Sequence, residues 1–308
     1  MENWRFGIVS DCYGGKVSIE DSIALLRGIG FRDLEIAGGQ LVDDMVAPPP
    51  AKTLLGRLRP LRVSLEDAGM VVWQLHGPYG ACDLVADSER TRRQHVDAYK
   101  RWIDIALMVG AKSLVIHIGG RNDLCPGKGP EAILEKNAES LASLAQHVGD
   151  ADLKLAIENL MSHNLELPEV FNRVGGRISD LKELVGRVGS DSLGLCLDTG
   201  HANVEHLDIP DAIKECGELL VATHIQESNR VYDMHMLPFS LRASKSGMDW
   251  FRIFTAFKGI NYPRPLIGEC ANTSGDLPQE LVSRYLKAQR ELIEMAMRGE
   301  FKAVEPQT

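Results

Sequence analysis

The chain has 308 residues, of which 44% are apolar and 25% charged, with a net charge of −9 and a pI near 5.5. That composition fits a soluble globular protein of α/β-barrel size and argues against a broad nucleic-acid-binding surface. No apolar run reaches membrane-spanning length, the opening MENWRFGIVSDC lacks a secretory pattern, and six scattered cysteines form no CxxC pair, so a cytoplasmic protein with reduced thiols is expected.

Read for period, the chain alternates strand-like with helix-like stretches. A strand over residues 4–10 precedes a helix over 18–30, which opens with Ser-x-x-Asp and ends on Gly. A strand over 33–37 leads through the loop at 48–50 into a helix over 51–68. Strands over 71–76, 113–118 and 153–158 are followed by helices over 87–110, 130–148 and 178–188. Strands over 193–197, 219–225 and 265–269 are followed by helices over 209–216, 248–257 and 278–298, the last with a proline in its first turn. Eight such units predict an α/β fold, a single-domain (β/α)8 TIM barrel over residues 1–302 with a frayed tail at 303–308. A doubly wound open sheet explains the alternation equally well. It does not explain why four strands in succession end in a ligand-type residue.

Those four are Glu158 in LKLAIEN, Asp198 in LGLCLDTGH, His224 in LLVATHIQ and Glu269 in PLIGEC. Active sites of parallel barrels form at the carboxyl ends of the strands, so these tips should converge on one hard or borderline cation. His76 and His117 also end strands, and His201 and His235 fall in loops just beyond them. His95 and His147 sit on helices and are expected to face solvent; His163 and His206 are loop residues without an assignment. Taken singly, each feature has a plainer reading. A strand-end carboxylate is often a helix cap or a surface ion pair. Cys196 and Cys270 read as small core residues, and Trp73, Trp102 and Trp250 as packing, with Trp250 also a candidate cavity wall.

The segments LAIEN, LDTGHAN, the run ending in His224, and PLIGEC resemble the xylose isomerase-like barrel superfamily. It includes sugar (phosphate) isomerases and epimerases and the endonuclease IV type of DNA-repair enzyme. The resemblance spans strands three to eight. It implies a divalent-metal-dependent isomerase or epimerase of carbohydrate metabolism, acting on a sugar or keto-sugar by proton transfer through an enediolate. One ion, manganese first and cobalt, magnesium, iron or zinc as alternatives, would be held by Glu158, Asp198, His224 and Glu269. The two glutamates would double as acid and base on opposite faces of the substrate. His201 and Arg230 match residues that bind substrate oxygens, and His76 and His117 are assigned to substrate at the same mouth.

Asp233 and His235, a D-x-H pair, are further metal or substrate candidates. Together with His76, His117 and His201 they complete the ligand types of a trinuclear zinc site. That leaves a zinc-dependent abasic-site phosphodiesterase as one alternative and a keto-sugar dehydratase or lyase as another. A third is a barrel without metal that serves as a binding subunit. Two departures bear on the substrate: MLPFSLRASKSGMDW stands where many relatives have a glycine-rich turn, and Asn164 where some have a second glutamate. The expected partner is a small sugar, with no nucleic acid and no membrane; the oligomeric state, homo-oligomer included, is left open.

Overall fold

In the described residues of the computed structural model (4–14, 17–79, 82–121, 123, 125–162, 172–270 and 277–301), eight parallel strands alternate with helices. The strands are β1 Phe6–Val9, β2 Asp33–Ala37, β3 Val71–His76, β4 Ser113–His117, β5 Lys154–Glu158, β6 Leu193–Asp198, β7 Leu220–His224 and β8 Leu266–Gly268. Strands β1 to β7 pair in sequence order, and β8 adds to the free side of β1. A parallel bridge between Ile225 and Gly268 joins β7 to β8, with the Ile225 amide 2.7 Å from the Ile267 carbonyl. The ring is a single (β/α)8 barrel. His163, Asn164 and the tail at 303–308 lie outside the described residues.

The two-residue period of the strands decides what faces inward. Leu114, Ile116, Leu155, Ile157, Leu195 and Leu197 join the main core beneath the helices. The alternate residues Val115, Ala156, Cys196 and Ala222 form a separate small cluster. Two residues beyond each of these, in the same column, stand His117, Glu158, Asp198 and His224. Small apolar side chains thus fill the middle of the barrel, and the polar residues that follow them line its mouth.

Helix α1 (Ile19–Gly28) starts at Ser18, whose Oγ accepts the Asp21 amide at 3.1 Å. The expected 51–68 helix divides into a 3-10 turn, Ala51–Leu54, and α2 (Leu55–Asp67). Helix α3 (Glu89–Val109) ends at Gly110, whose φ of 77° is readily adopted by glycine. Next come α4 (Pro130–Val148) and α5 (Ile178–Val188), both as expected. Helix α6 (Thr199–Val204) was not expected. It precedes α7 (Ile209–Cys216), the single turn α8 (Ala243–Ser246), α9 (Trp250–Gly259) and α10 (Gln279–Arg298). Among the described residues no helix is long and apolar enough to cross a membrane.

At the amino-terminal end of the barrel a chain of paired polar groups closes the base. Arg264 donates to the Val221 carbonyl at 2.7 Å and to Ser113 Oγ at 3.1 Å, and Ser113 donates to the Trp73 carbonyl at 3.0 Å. Trp73 Nε1 donates to Asp33 Oδ1 at 2.6 Å, and Arg5 pairs with Asp33 Oδ2 at 2.8 Å. One level higher, Gln74 crosses the barrel to bond both backbone groups of Thr223, at 3.2 and 3.0 Å.

Candidate metal centre

Glu158, Asp198, His224 and Glu269 each present one donor atom, and the four atoms lie within 4.8 Å of one another. His224 is at their centre. Its Nδ1 is 2.9 Å from Glu158 Oε1, 3.4 Å from Glu269 Oε2 and 3.8 Å from Asp198 Oδ2. The opposite ring nitrogen, Nε2, is 2.9 Å from Glu35 Oε2, which also accepts Gln74 Nε2 at 2.7 Å. Glu35 and His224 are fully buried. A carboxylate bound to one imidazole nitrogen fixes the ring and leaves the other nitrogen's lone pair for a cation. Glu269 Oε2 is buried without a hydrogen-bond partner. Three carboxylates around one imidazole, one oxygen orphaned, fit a hard or borderline divalent ion.

The electrostatics carry the same imprint. Burial pushes Glu158 and Glu269 upward, but the charges and hydrogen bonds of neighbouring histidines outweigh it and hold both carboxyls below the usual range. His224 and His117 act on the first, His224 and His235 on the second. Burial lifts Asp198 to about 7 against the opposing charge of His201, with Glu269 and Glu158 adding to the rise. For His224 burial works downward, and the surrounding acidic groups more than reverse it.

Local sequence explains why Asp198 and His201 belong together. Asp198 ends β6 and caps α6, its Oδ1 accepting the His201 amide at 2.6 Å. The expected loop is therefore a helical turn, and it sets His201 over the mouth. His201 Nδ1 meets the Asn159 carbonyl at 2.8 Å, and Nε2 lies 3.2 Å from Asp233 Oδ2. Asn159 in turn bonds both backbone groups of Asp198, at 2.7 and 3.0 Å. Gln226 spans the next layer. Its Nε2 donates to Asp198 Oδ2 at 3.1 Å and Asp233 Oδ1 at 2.7 Å, and its Oε1 accepts the His235 amide at 2.9 Å. A Cβ on Gly200 would fall 2.3 to 2.7 Å from the Gln226 amide atoms. The glycine of LDTGH is the space Gln226 occupies.

The remaining histidines crowd the same carboxylates. His117 Nε2 is 3.0 Å from Glu158 Oε2, and His76 Nε2 is 3.7 Å from it. His76 stacks on His224 at 5.3 Å between ring centroids, with its Nδ1 2.9 Å from the Gly77 carbonyl. His235 Nε2 is 3.6 Å from Glu269 Oε1. The cavity above this group has a volume of about 720 Å³.

Nine of the ten expected site residues gather here; Arg230 does not. It is exposed and lines a separate cavity of about 180 Å³ with His206, Asp208 and Arg252. Its side chain packs on Gly247, where a Cβ would come within 2.9 Å of it. Spacing from His224 gave its distance along the chain, not the direction of the loop. His95 departs too: it is half-buried rather than solvent-facing, and its Nδ1 accepts the Asp83 amide at 3.0 Å. Trp250 is packing, not cavity wall, its ring tilted against Phe254 at 5.7 Å between centroids. Cys196 is buried, and burial pushes its thiol well above the usual range, in keeping with a core residue.

Glu35, Gln74, Asn159 and Gln226 went unassigned in the sequence. A usable signal existed for two of them. Glu35 in DLEIA and Gln74 in VVWQLH are polar residues at inward positions of otherwise apolar strands.

A family model described as "Xylose isomerase-like TIM barrel" matches residues 23–293. An uncharacterized protein, y4fM, of Sinorhizobium fredii is 28% identical over 57% of this chain and 52% of its own length, so the chain spans about half of that relative. A D-psicose 3-epimerase of Enterocloster bolteae is 27% identical over 77% of this chain and 71% of its own. A crystal structure of a D-psicose 3-epimerase, solved in the presence of D-fructose, superposes with a TM-score of 0.75 over 96% of this chain and all of the other, at 20% identity. At that identity the superposition speaks for the fold alone.

Proposed function

The chain belongs to the xylose isomerase-like TIM barrel family, and from that premise we propose that it is a divalent-metal-dependent sugar epimerase or isomerase, acting on a small keto-sugar. The observation that carries the reading is the cluster of Glu158, Asp198, His224 and Glu269 within 4.8 Å, with carboxylates from β5 and from the end of β8 facing one imidazole nitrogen. Similarity to a D-psicose 3-epimerase supports the substrate class. Six buried, unpaired thiols support the expected reducing compartment, which we take to be the cytoplasm.

A cation held by those four residues supplies, when bound, electrostatic stabilisation of negative charge on the substrate oxygens. The remaining work falls to the chain. Glu158, wholly buried and fixed by His117 and His224, and Glu269, held near His235, are both ionised at neutral pH. One takes the proton from the carbon beside the carbonyl, leaving an enediolate. The other carboxylate must first receive a proton, which it then delivers to the opposite face, inverting the centre with no change of oxidation state. His235, which burial lowers but Glu269 raises to about 9, carries a proton 3.6 Å from Glu269 and can replenish it. Loss of a β-oxygen from the same enediolate would instead give a dehydratase.

A second reading, phosphodiester hydrolysis, draws on two further groupings. His76 and His117 join Glu158 as a candidate ligand set, and His201, Asp233 and His235 lie side by side. Against it, Asp233 is already engaged by Gln226 and His201. Metal analysis of protein purified without chelator separates the readings. About one ion per chain, activity lost to chelator, and solvent deuterium entering D-psicose or D-fructose are expected. Two or three zinc ions per chain and cleavage of abasic-site DNA would overturn the epimerase.

A further inference from the structure

One wall of the cavity carries a carboxylate that the ligand set leaves unused. Asp11 follows β1, two residues past Val9 in the inward-facing column, and lines the cavity on the side of Glu35, His76 and Glu269. Its Oδ1 is buried without a hydrogen-bond partner. It makes no ion pair among the described residues and belongs to none of the groups close enough to share a metal. Burial, then the charges of Glu269 and Glu35, push its carboxyl up to about 6, with His76 opposing. A buried oxygen in that state is costly, whereas an apolar residue like Val9 would fill the same wall at no such cost.

We propose that Asp11 is a specificity-determining residue that accepts a hydrogen bond from a hydroxyl of a polyhydroxylated substrate, on the Glu269 side of the reacting carbon. The assignment rests on the sugar reading and deepens it: the substrate must carry a free hydroxyl there, and a sugar lacking or masking it is rejected. A site built to bond a hydroxyl discriminates strongly against its absence, because the buried acceptor is then left unpaired.

The test compares manganese-loaded wild type with D11A and the isosteric D11N, measuring bound metal, kcat and KM for D-psicose, and stabilisation by D-psicose and D-fructose in thermal unfolding. Expected are unchanged metal content, a KM raised about 10- to 100-fold in D11A with kcat within about threefold, and loss of the sugar-induced shift in melting temperature. D11N retains part of both and serves if D11A does not fold. KM and thermal shift within twofold of wild type in both variants overturn the proposal, as does loss of metal in either. Wild type that is stabilised by sugar but never turns it over defeats the epimerase reading alone, and the thermal comparison still decides on Asp11. Wild type that binds neither sugar overturns the proposal.

Discussion

At the base of the barrel Arg264, Ser113, Trp73 and Asp33 form a chain in which each named donor reaches an acceptor, from 2.6 to 3.1 Å. At the mouth Glu269, Glu35 and Asp11 each keep one oxygen buried without a donor. Both ends bury charge inside the same ring of strands, and both are held by the same two-residue period. The difference is whether the protein completes its own hydrogen bonds. Where it does, the polar groups hold the strands in register; where it does not, the unfinished valences mark a place kept for something else.

The contrast can be broken most sharply at the mouth. Glu158→Gln and Glu269→Gln should each lower deuterium exchange into D-psicose by about a hundredfold or more, the range of general acid–base catalysis, while circular dichroism and the unfolding transition stay close to wild type. Full activity in either variant would remove that residue from the chemistry. Glu35→Gln acts one step back. It keeps the shape but weakens the hold on His224 Nε2, so metal affinity measured by calorimetry should fall about 10- to 100-fold, and excess manganese should recover most of the turnover. The smallest functional effect is expected at the base. Arg264→Met should cost about 1–3 kcal/mol in denaturant unfolding by removing the hydrogen bonds to the Val221 carbonyl and Ser113 Oγ, yet leave kcat/KM within about twofold. A larger loss of activity there would mean that the two ends are not independent.

Much of this was legible in the chain, and for a stated reason. Runs such as LKLAIE and LGLCLD announce buried strands, and a ligand-type residue closing each run must appear at the mouth once the strands are parallel. Glu158, Asp198, His224 and Glu269 follow from that alone. Residues acting across the barrel were harder to see. Glu35 gains its role from His224, 189 positions away, and Gln74 from Thr223, 149 away, separations that no local period encodes. Helix α6 was missed because LDTGHAN is too short for a helical period, although Asp before a turn is a capping signal. Arg230 lies at a separate cavity because its distance from His224 along the chain does not give the direction in which the loop carries it.

Gly200 and Gln226 occupy one space between them. For anyone reshaping this protein by directed evolution, the two codons form a single unit of inheritance. A library that enlarges position 200 alone samples mainly chains with a displaced amide, and with it a displaced Asp198, Asp233 and His235 backbone. Diversity at this side of the mouth becomes accessible only when both positions are varied together, with a shorter side chain at 226 accompanying any longer one at 200.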